Sequence, residues 1–204
     1  MIVVVEYGMG NLGSILNMLK KVGAEAKSSS RAEDILSADK LILPGVGSFD
    51  HGMEHLNNLN LIEPLNQAAN EQGKPILGIC LGAQLLTQGS EEGKLPGLGW
   101  FDATTVRIKA APLKVPHMGW NIAQPLKPSV LFQDLPDPAR FYFVHSYRMV
   151  CDSPVDRLCH TPYGMEFTSG IERDNLAGLQ FHPEKSHKFG IILMRNFAER
   201  FGNA

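Results

Sequence analysis

The chain has 204 residues, 44% of them apolar and 20% charged, with 19 Lys plus Arg against 21 Asp plus Glu and a formal net charge of -2. That balance supplies no basic footprint for a phosphate backbone, which argues against nucleic acid as a partner, and no window approaches the 18 consecutive apolar residues that a membrane span needs. The three cysteines, Cys80, Cys151 and Cys159, form no paired framework, so a reducing, cytoplasmic address is expected and sulfur is left free for chemistry.

One domain covering residues 1–204 is expected, because a chain of this length buries roughly 70% of its unfolded surface without staples. The opening MIVVVEYGMG has an apolar run too short for a signal sequence and no basic segment before it, so it reads as a buried strand. Residues 2–5 are a β-branched run, YGMGN breaks it, and apolar residues from Leu12 to Val22 recur at helical spacing. A second unit follows, with a strand over 40–43, a glycine loop over 44–47 and a helix over 61–72 stopped by Gly73. A third runs from a strand over 75–79, through Cys80, into a helix over 81–88 ended by Gly89. Continuous apolar strands alternating with helices predict a parallel sheet covered on both faces. Beyond residue 98 the texture turns β-rich, notably over 103–108 and 140–150, and predicts strands added to that core. An amphipathic helix over 191–201 closes the chain.

Within the third unit, Gly78-Ile79-Cys80-Leu81-Gly82 has the form of a nucleophile elbow, a sharp strand-to-helix turn that exposes its central side chain above the sheet edge. The following helix turns free N–H groups toward the sulfur, which favours the reactive thiolate. Cys151 and Cys159 lack such flanks and are expected to be packed thiols. Near the C-terminus, Gln180-Phe181-His182-Pro183-Glu184 leaves an apolar strand carrying an imidazole and a carboxylate two residues apart. On its own that pair is a weak pattern and reads more readily as a solvated loop with incidental charges, but with the elbow it completes a Cys80-His182-Glu184 set of nucleophile, base and orienter. The remaining histidines show no metal-ligand spacing.

The extended elbow GICLGAQLL, the PGVG loop and QFHPE together resemble the class I (triad) glutamine amidotransferase family over essentially the whole chain. VPHMGWN at 115–121, YFVHSY at 142–147 and QFHPEKS at 180–186 are similar to its subfamily of glutaminase subunits of imidazole glycerol phosphate synthases. The resemblance implies a flavodoxin-like open α/β sheet with helices on both faces and an additional β layer. It also implies hydrolysis of L-glutamine, no cofactor, and a heterodimer with a (β/α)8-barrel cyclase subunit that receives the ammonia. It assigns the oxyanion donors to Leu81 and to the Val46 and Gly47 segment, and substrate contacts to Gly45, Gln84, Glu92, His145, Ser146 and Tyr147. Glu91 competes with Glu92 for the substrate ammonium. Asn11, Trp120, Asn121 and Lys185 fall at partner positions, although a Trp in a strand is also a core residue by habit. Ala83 and Glu6 stand where the family usually has Met and often has Asp, and GSFDHGM at 47–53 and SHKFG at 186–190 are less usual. Glutaminases that feed other synthases, including ones that amidinate sugars of surface polysaccharides, share the triad. A non-catalytic docking module and a thiol hydrolase of similar architecture are the rival classes.

Overall fold

A computed structural model describes residues 1–202. In chain order its elements are β1 (Ile2–Val5), α1 (Leu12–Lys21), β2 (Ala26–Ser29), α2 (Ala32–Ser37), β3 (Lys40–Leu43), α3 (Phe49–Asn58), α4 (Ile62–Asn66), β4 (Ile76–Ile79), α5 (Leu81–Leu85), β5 (Gly89–Ser90), β6 (Ala103–Arg107), β7 (His117–Ile122), β8 (Gln124–Pro125), β9 (Arg140–His145), β10 (Tyr147–Cys151), β11 (Arg157–Pro162), β12 (Glu166–Arg173), β13 (Leu176–Leu179) and α6 (His187–Glu199). Eleven strands form one sheet in the order β2-β1-β3-β4-β13-β12-β10-β6-β5, with β11 paired to β12 and β8 to β11. The first five are mutually parallel, in the strand order of a flavodoxin-like sheet with β13 in the fifth place. From β12 onward the pairing is mainly antiparallel. Strands β7 and β9 pair apart from this sheet as an additional β layer.

The continuous apolar strands follow from burial on both faces. Val3, Val5, Leu41 and Leu43 pack with Ile35, Phe49, Met53, Leu56 and Leu85 of α2, α3 and α5. Their alternating neighbours Ile2, Val4, Ile42, Leu77 and Ile79 pack with Ile15 and Leu19 of α1 and Leu193 and Phe197 of α6. Each strand residue thus serves one of two cores, and no position is left for a polar side chain. Lys40 is the exception at the strand's start: its Nζ donates to the carbonyls of Phe197 at 3.0 Å and Phe201 at 2.7 Å, closing the C-terminal end of α6.

The structure departs from the sequence reading in several places. An extra unit, β2 and α2, lies between the first two expected ones; β2 is an edge strand of sequence AKSS with one buried residue, so it lacks the apolar run that marks a central strand. Helix α3 precedes the expected 61–72 helix, its buried stripe of Phe49, Gly52, Met53 and Leu56 diluted by polar neighbours. The 61–72 helix itself changes to π geometry over Gln67–Glu71. Helix α5 ends at Leu85 rather than 88, and Gly89 turns away to pair with β6. The 140–150 stretch divides at Ser146, with β9 in the added layer and β10 in the main sheet. Helix α6 starts at His187, four residues before the expected position.

Candidate active site

Cys80 follows β4 directly, and its backbone is held at φ +54° and ψ -110°, a conformation that costs a non-glycine residue strain and persists only when its surroundings demand it. Those surroundings are tight on both sides. A Cβ at Gly82 would stand 1.8 Å from the Leu43 carbonyl oxygen, and one at Gly78 would meet the Ala83 backbone at 2.8 Å. Both flanking glycines are therefore required for the turn, and the turn aims the sulfur off the end of the sheet. Only 7% of Cys80 is exposed, and that fraction opens on a cavity of about 560 Å³.

His182 arrives from the neighbouring strand. Leu179 pairs with Ile79 in the parallel β4–β13 ladder, so the residues that leave the two strand ends emerge side by side although Cys80 and Gln180 are 100 residues apart in sequence. The His182 amide donates to the Tyr142 carbonyl at 2.9 Å, and Ser186 Oγ donates to the His182 carbonyl at 2.6 Å, which fixes the loop. His182 Nδ1 donates to Glu184 Oε1 at 2.7 Å, with the two side chains 1% and 3% exposed. Burial works against a charged imidazole here, but hydrogen bonding and charge interactions with Cys80 and Glu184 outweigh it and raise the His182 pKa to about 9. Nε2, the nitrogen left for chemistry, makes no hydrogen bond of regular geometry, an arrangement common in unliganded sites that tighten around substrate.

The cavity beside Cys80 is lined by Val46 and Gly47, by Leu81 and Gln84 of α5, and by His145, Ser146 and Tyr147. Gly45 is buried just outside it, where a Cβ would strike the Gly82 amide nitrogen and Leu81 Cβ, each at 2.8 Å. Gln84 Nε2 donates to Gln180 Oε1 at 3.0 Å, and Gln180 Nε2 reaches the Cys80 sulfur at 3.8 Å. Glu92 lines the cavity and accepts the Phe49 N–H at 2.8 Å. Glu91 instead accepts the Arg107 N–H at 2.8 Å and faces the strand β6. Arg107, absent from the sequence-derived set, also lines the cavity, its guanidinium 3.4 Å from the Tyr147 hydroxyl.

A strained cysteine elbow, a buried His-carboxylate pair and a polar cavity agree with the model of the family described as glutamine amidotransferase class-I, which matches residues 3–200. The chain belongs to that family. It is 52% identical over 200 residues to the imidazole glycerol phosphate synthase subunit HisH 2 of Pseudomonas aeruginosa, covering 98% of this chain and 99% of the relative. The subunit of the same name from Methanococcus maripaludis is 51% identical, covering 98% and 100%. The subunit HisH of Bdellovibrio bacteriovorus is 42% identical, also covering 98% and 100%. Among solved structures, a glutamine amidotransferase of Thermotoga maritima superposes with a TM-score of 0.74 at 15% identity, covering 100% of this chain and 98% of that one, and so supports the fold.

In this family member the other expected positions fall on the added β layer and its surroundings. Strand β7 alternates, with Met118, Trp120 and Ile122 exposed and His117 buried. Trp120 is 40% exposed and stacks on His187 at 5.5 Å, so it is not a core residue. Lys185 is exposed, its Nζ 5.9 Å from the Tyr142 ring centre. Asn11 is exposed and caps α1 by accepting the Ser14 N–H at 3.2 Å. Asn121 turns inward: its amide donates to the Pro162 carbonyl at 2.9 Å and lies 3.2 Å from His117 Nε2. His117 Nδ1 lies 2.9 Å from His145 Nε2, and His145 Nδ1 donates to the Tyr147 carbonyl at 2.7 Å. The Tyr147 carbonyl can only accept, so His145 carries its proton on Nδ1 and His117 donates to it in turn. Burial lowers the pKa of His117 to about 4 and of His145 to about 3.

Cys151 and Cys159 are held as thiols, pushed by burial to about 11 and about 12. Among the described residues no group of three or more His, Cys, Asp and Glu side chains could hold a metal ion, and no helix is long and apolar enough to cross a membrane. Sequence reasoning missed Gln180, Ser186 and Arg107. The first two lie within the QFHPEKS motif already singled out, whereas Arg107 ends an unremarkable strand and left no signal.

Proposed function

We propose that the chain is the glutaminase subunit of an imidazole glycerol phosphate synthase, in histidine biosynthesis. It hydrolyses L-glutamine to glutamate and ammonia through a Cys80 thioester and passes the ammonia to a (β/α)8-barrel cyclase subunit in a heterodimer. The observation that carries this reading is the Cys80 sulfur at the cavity wall, held at φ +54° on the strand next to the one that delivers His182 and Glu184.

In the first half-reaction the Cys80 sulfur, its proton held by His182, attacks the carboxamide carbon of glutamine, and the carbonyl π electrons move to oxygen. Backbone N–H groups of Leu81 and of the Val46–Gly47 peptide meet that oxyanion, each worth roughly 2.7–4 kcal/mol in the transition state. With its pKa held at about 9, His182 is an imidazolium at neutral pH, the acid that the departing nitrogen needs; the C–N bond breaks and ammonia leaves. In the second half His182 Nε2, now neutral, takes a proton from water; the hydroxide adds to the thioester, and the C–S bond breaks to give glutamate and free Cys80. Glu184 keeps the proton on Nδ1 throughout.

Glu92 pairs with the substrate ammonium and Arg107 with its carboxylate, a division supported by their opposite charges in the lining of one cavity. Gln84 and the segment from His145 to Tyr147 line the side chain. The exposed stripe of Met118, Trp120 and Ile122, continued by Lys185, is the docking face, because Trp and Met concentrate at interface centres. Asn11 extends that face, while Asn121 supports it from beneath.

Cys80→Ala should abolish glutamate formation from glutamine while the assembled synthase still turns over with ammonium salts. Loss of the ammonia-dependent reaction as well would overturn the division of labour. A second reading, in which the ammonia goes to a different synthase such as one that amidinates a sugar, is favoured by one observation: the relatives from Pseudomonas aeruginosa and Methanococcus maripaludis, at 52% and 51% identity, are both named with the number 2. Growth of a histidine auxotroph lacking its own glutaminase subunit, restored by this chain, decides for the first; failure with a folded, active chain decides for the second.

A further inference from the structure

Tyr7 is a buried titratable residue with no part in the reaction just described. It stands two residues beyond β1, fully buried, and its hydroxyl donates to the Pro44 carbonyl at 2.5 Å. Its own carbonyl accepts from His55 Nδ1 at 2.8 Å, so the residue is held at both ends. Burial, and then the negative charge of Cys80, hold the phenol protonated well above the usual tyrosine range, so it remains a donor at any working pH.

The loop that it grips has two unlike halves. Pro44 and Gly45 are buried, and a Cβ at Gly45 would stand 2.9 Å from the Tyr7 hydroxyl and 2.8 Å from the Gly82 nitrogen, so this half is wedged between the phenol and the cysteine elbow. Val46 and Gly47 are exposed, Val46 by 43%, and Gly47 has φ +122°. The exposed peptide can rotate at little cost because glycine accepts either set of dihedrals. A rotation helps catalysis only if it leaves the new N–H aimed at the substrate oxygen, and that requires a fixed pivot.

We infer that Tyr7 is a positioning residue for the oxyanion loop: by clamping the Pro44 carbonyl it confines backbone rotation to the Val46–Gly47 peptide and sets the direction of its N–H. This rests on the glutaminase reading and deepens it. The same β1–α1 connection touches the mobile half, since a Cβ at Gly47 would lie 2.8 Å from Met9 Cε, and it ends at Asn11 on the proposed docking face. Partner contact at Asn11 therefore has a short covalent route to the pivot.

Tyr7→Phe removes one oxygen and keeps the ring. In the assembled synthase it should lower kcat for glutamate formation about tenfold, the effect of one weakened transition-state hydrogen bond, with KM for glutamine within twofold. Alkylation of Cys80 by iodoacetamide, which forms no oxyanion, should proceed at the wild-type rate. An unchanged kcat, or a fall in kcat matched by an equal fall in alkylation, overturns the inference. If the variant does not fold, the wild type still answers: a slowly exchanging Tyr7 hydroxyl proton is expected by NMR, and its absence overturns the clamp. Wild-type enzyme that makes no glutamate at all would instead overturn the glutaminase reading.

Discussion

Two sets of buried imidazoles lie at one edge of this molecule, His182 on the loop after β13 and the pair of His117 and His145 on β7 and β9, and their pKa values move in opposite directions. All three are at most 6% exposed. His182 is raised to about 9 because its neighbours are the Cys80 sulfur and a carboxylate. His117 and His145 are lowered to about 4 and about 3 by burial, which the hydrogen bond from His145 to the Tyr147 carbonyl offsets only in part. Desolvation alone always disfavours the imidazolium, and only a negative partner reverses it. One edge therefore holds a charged acid for chemistry and a neutral, tautomer-locked pair that ties strand β7 to the substrate wall at Tyr147.

The comparison breaks first at Glu184. Glu184→Gln removes the charge that favours the imidazolium, and glutaminase kcat should fall about 10²–10⁴-fold. In wild type the rate should decline as pH rises through about 9, where His182 loses its proton. In the variant that decline should begin at lower pH; a pH–rate profile with an unmoved alkaline limb would refute the assignment.

Stability against pH separates the two sets next. A His182 pKa above its unfolded value stabilises the fold fully below pH about 6.5 and progressively less as pH rises through about 9. The lowered pair acts the other way: between pH about 6.5 and about 4 the unfolded chain takes up protons that the folded chain does not. Stability should then fall by up to about 1.4 kcal/mol per pH unit per histidine as pH drops. Urea denaturation across pH checks both limbs, and His145→Phe should flatten the acid limb while leaving the alkaline one. That variant also orphans the Tyr147 carbonyl, at a cost of about 1–3 kcal/mol.

The smallest effect on the fold should come from the proposed docking face. Trp120→Ala should weaken complex formation by about 2 kcal/mol or more and change the isolated chain's stability by no more than about 0.5 kcal/mol. A sharply lowered melting temperature with unchanged assembly would return Trp120 to a packing role.

What could be read from the sequence was what is built locally. The elbow at 78–82 shows itself by its glycine spacing, Gly78 clearing the Ala83 backbone of the first helical turn, although what makes Gly82 necessary, the Leu43 carbonyl of β3, is distant in sequence. Strands β1, β3 and β4 announced themselves because burial on both faces leaves their residues no polar positions. The edge strand β2 and the helix α3 did not, since half of each faces water.

Only the tertiary structure decided what depends on which chain ends meet. Parallel pairing of β13 with β4 brings His182 beside Cys80. A turn after β5 sends Glu92 rather than Glu91 to the cavity. The division of the 140–150 stretch at Ser146 is what gives the cavity lining and the added β layer a common strand end. Residues such as Tyr7 and Arg107 carry no local signature, because a hydroxyl or a guanidinium acquires a role only from the atom that folding sets within hydrogen-bond reach.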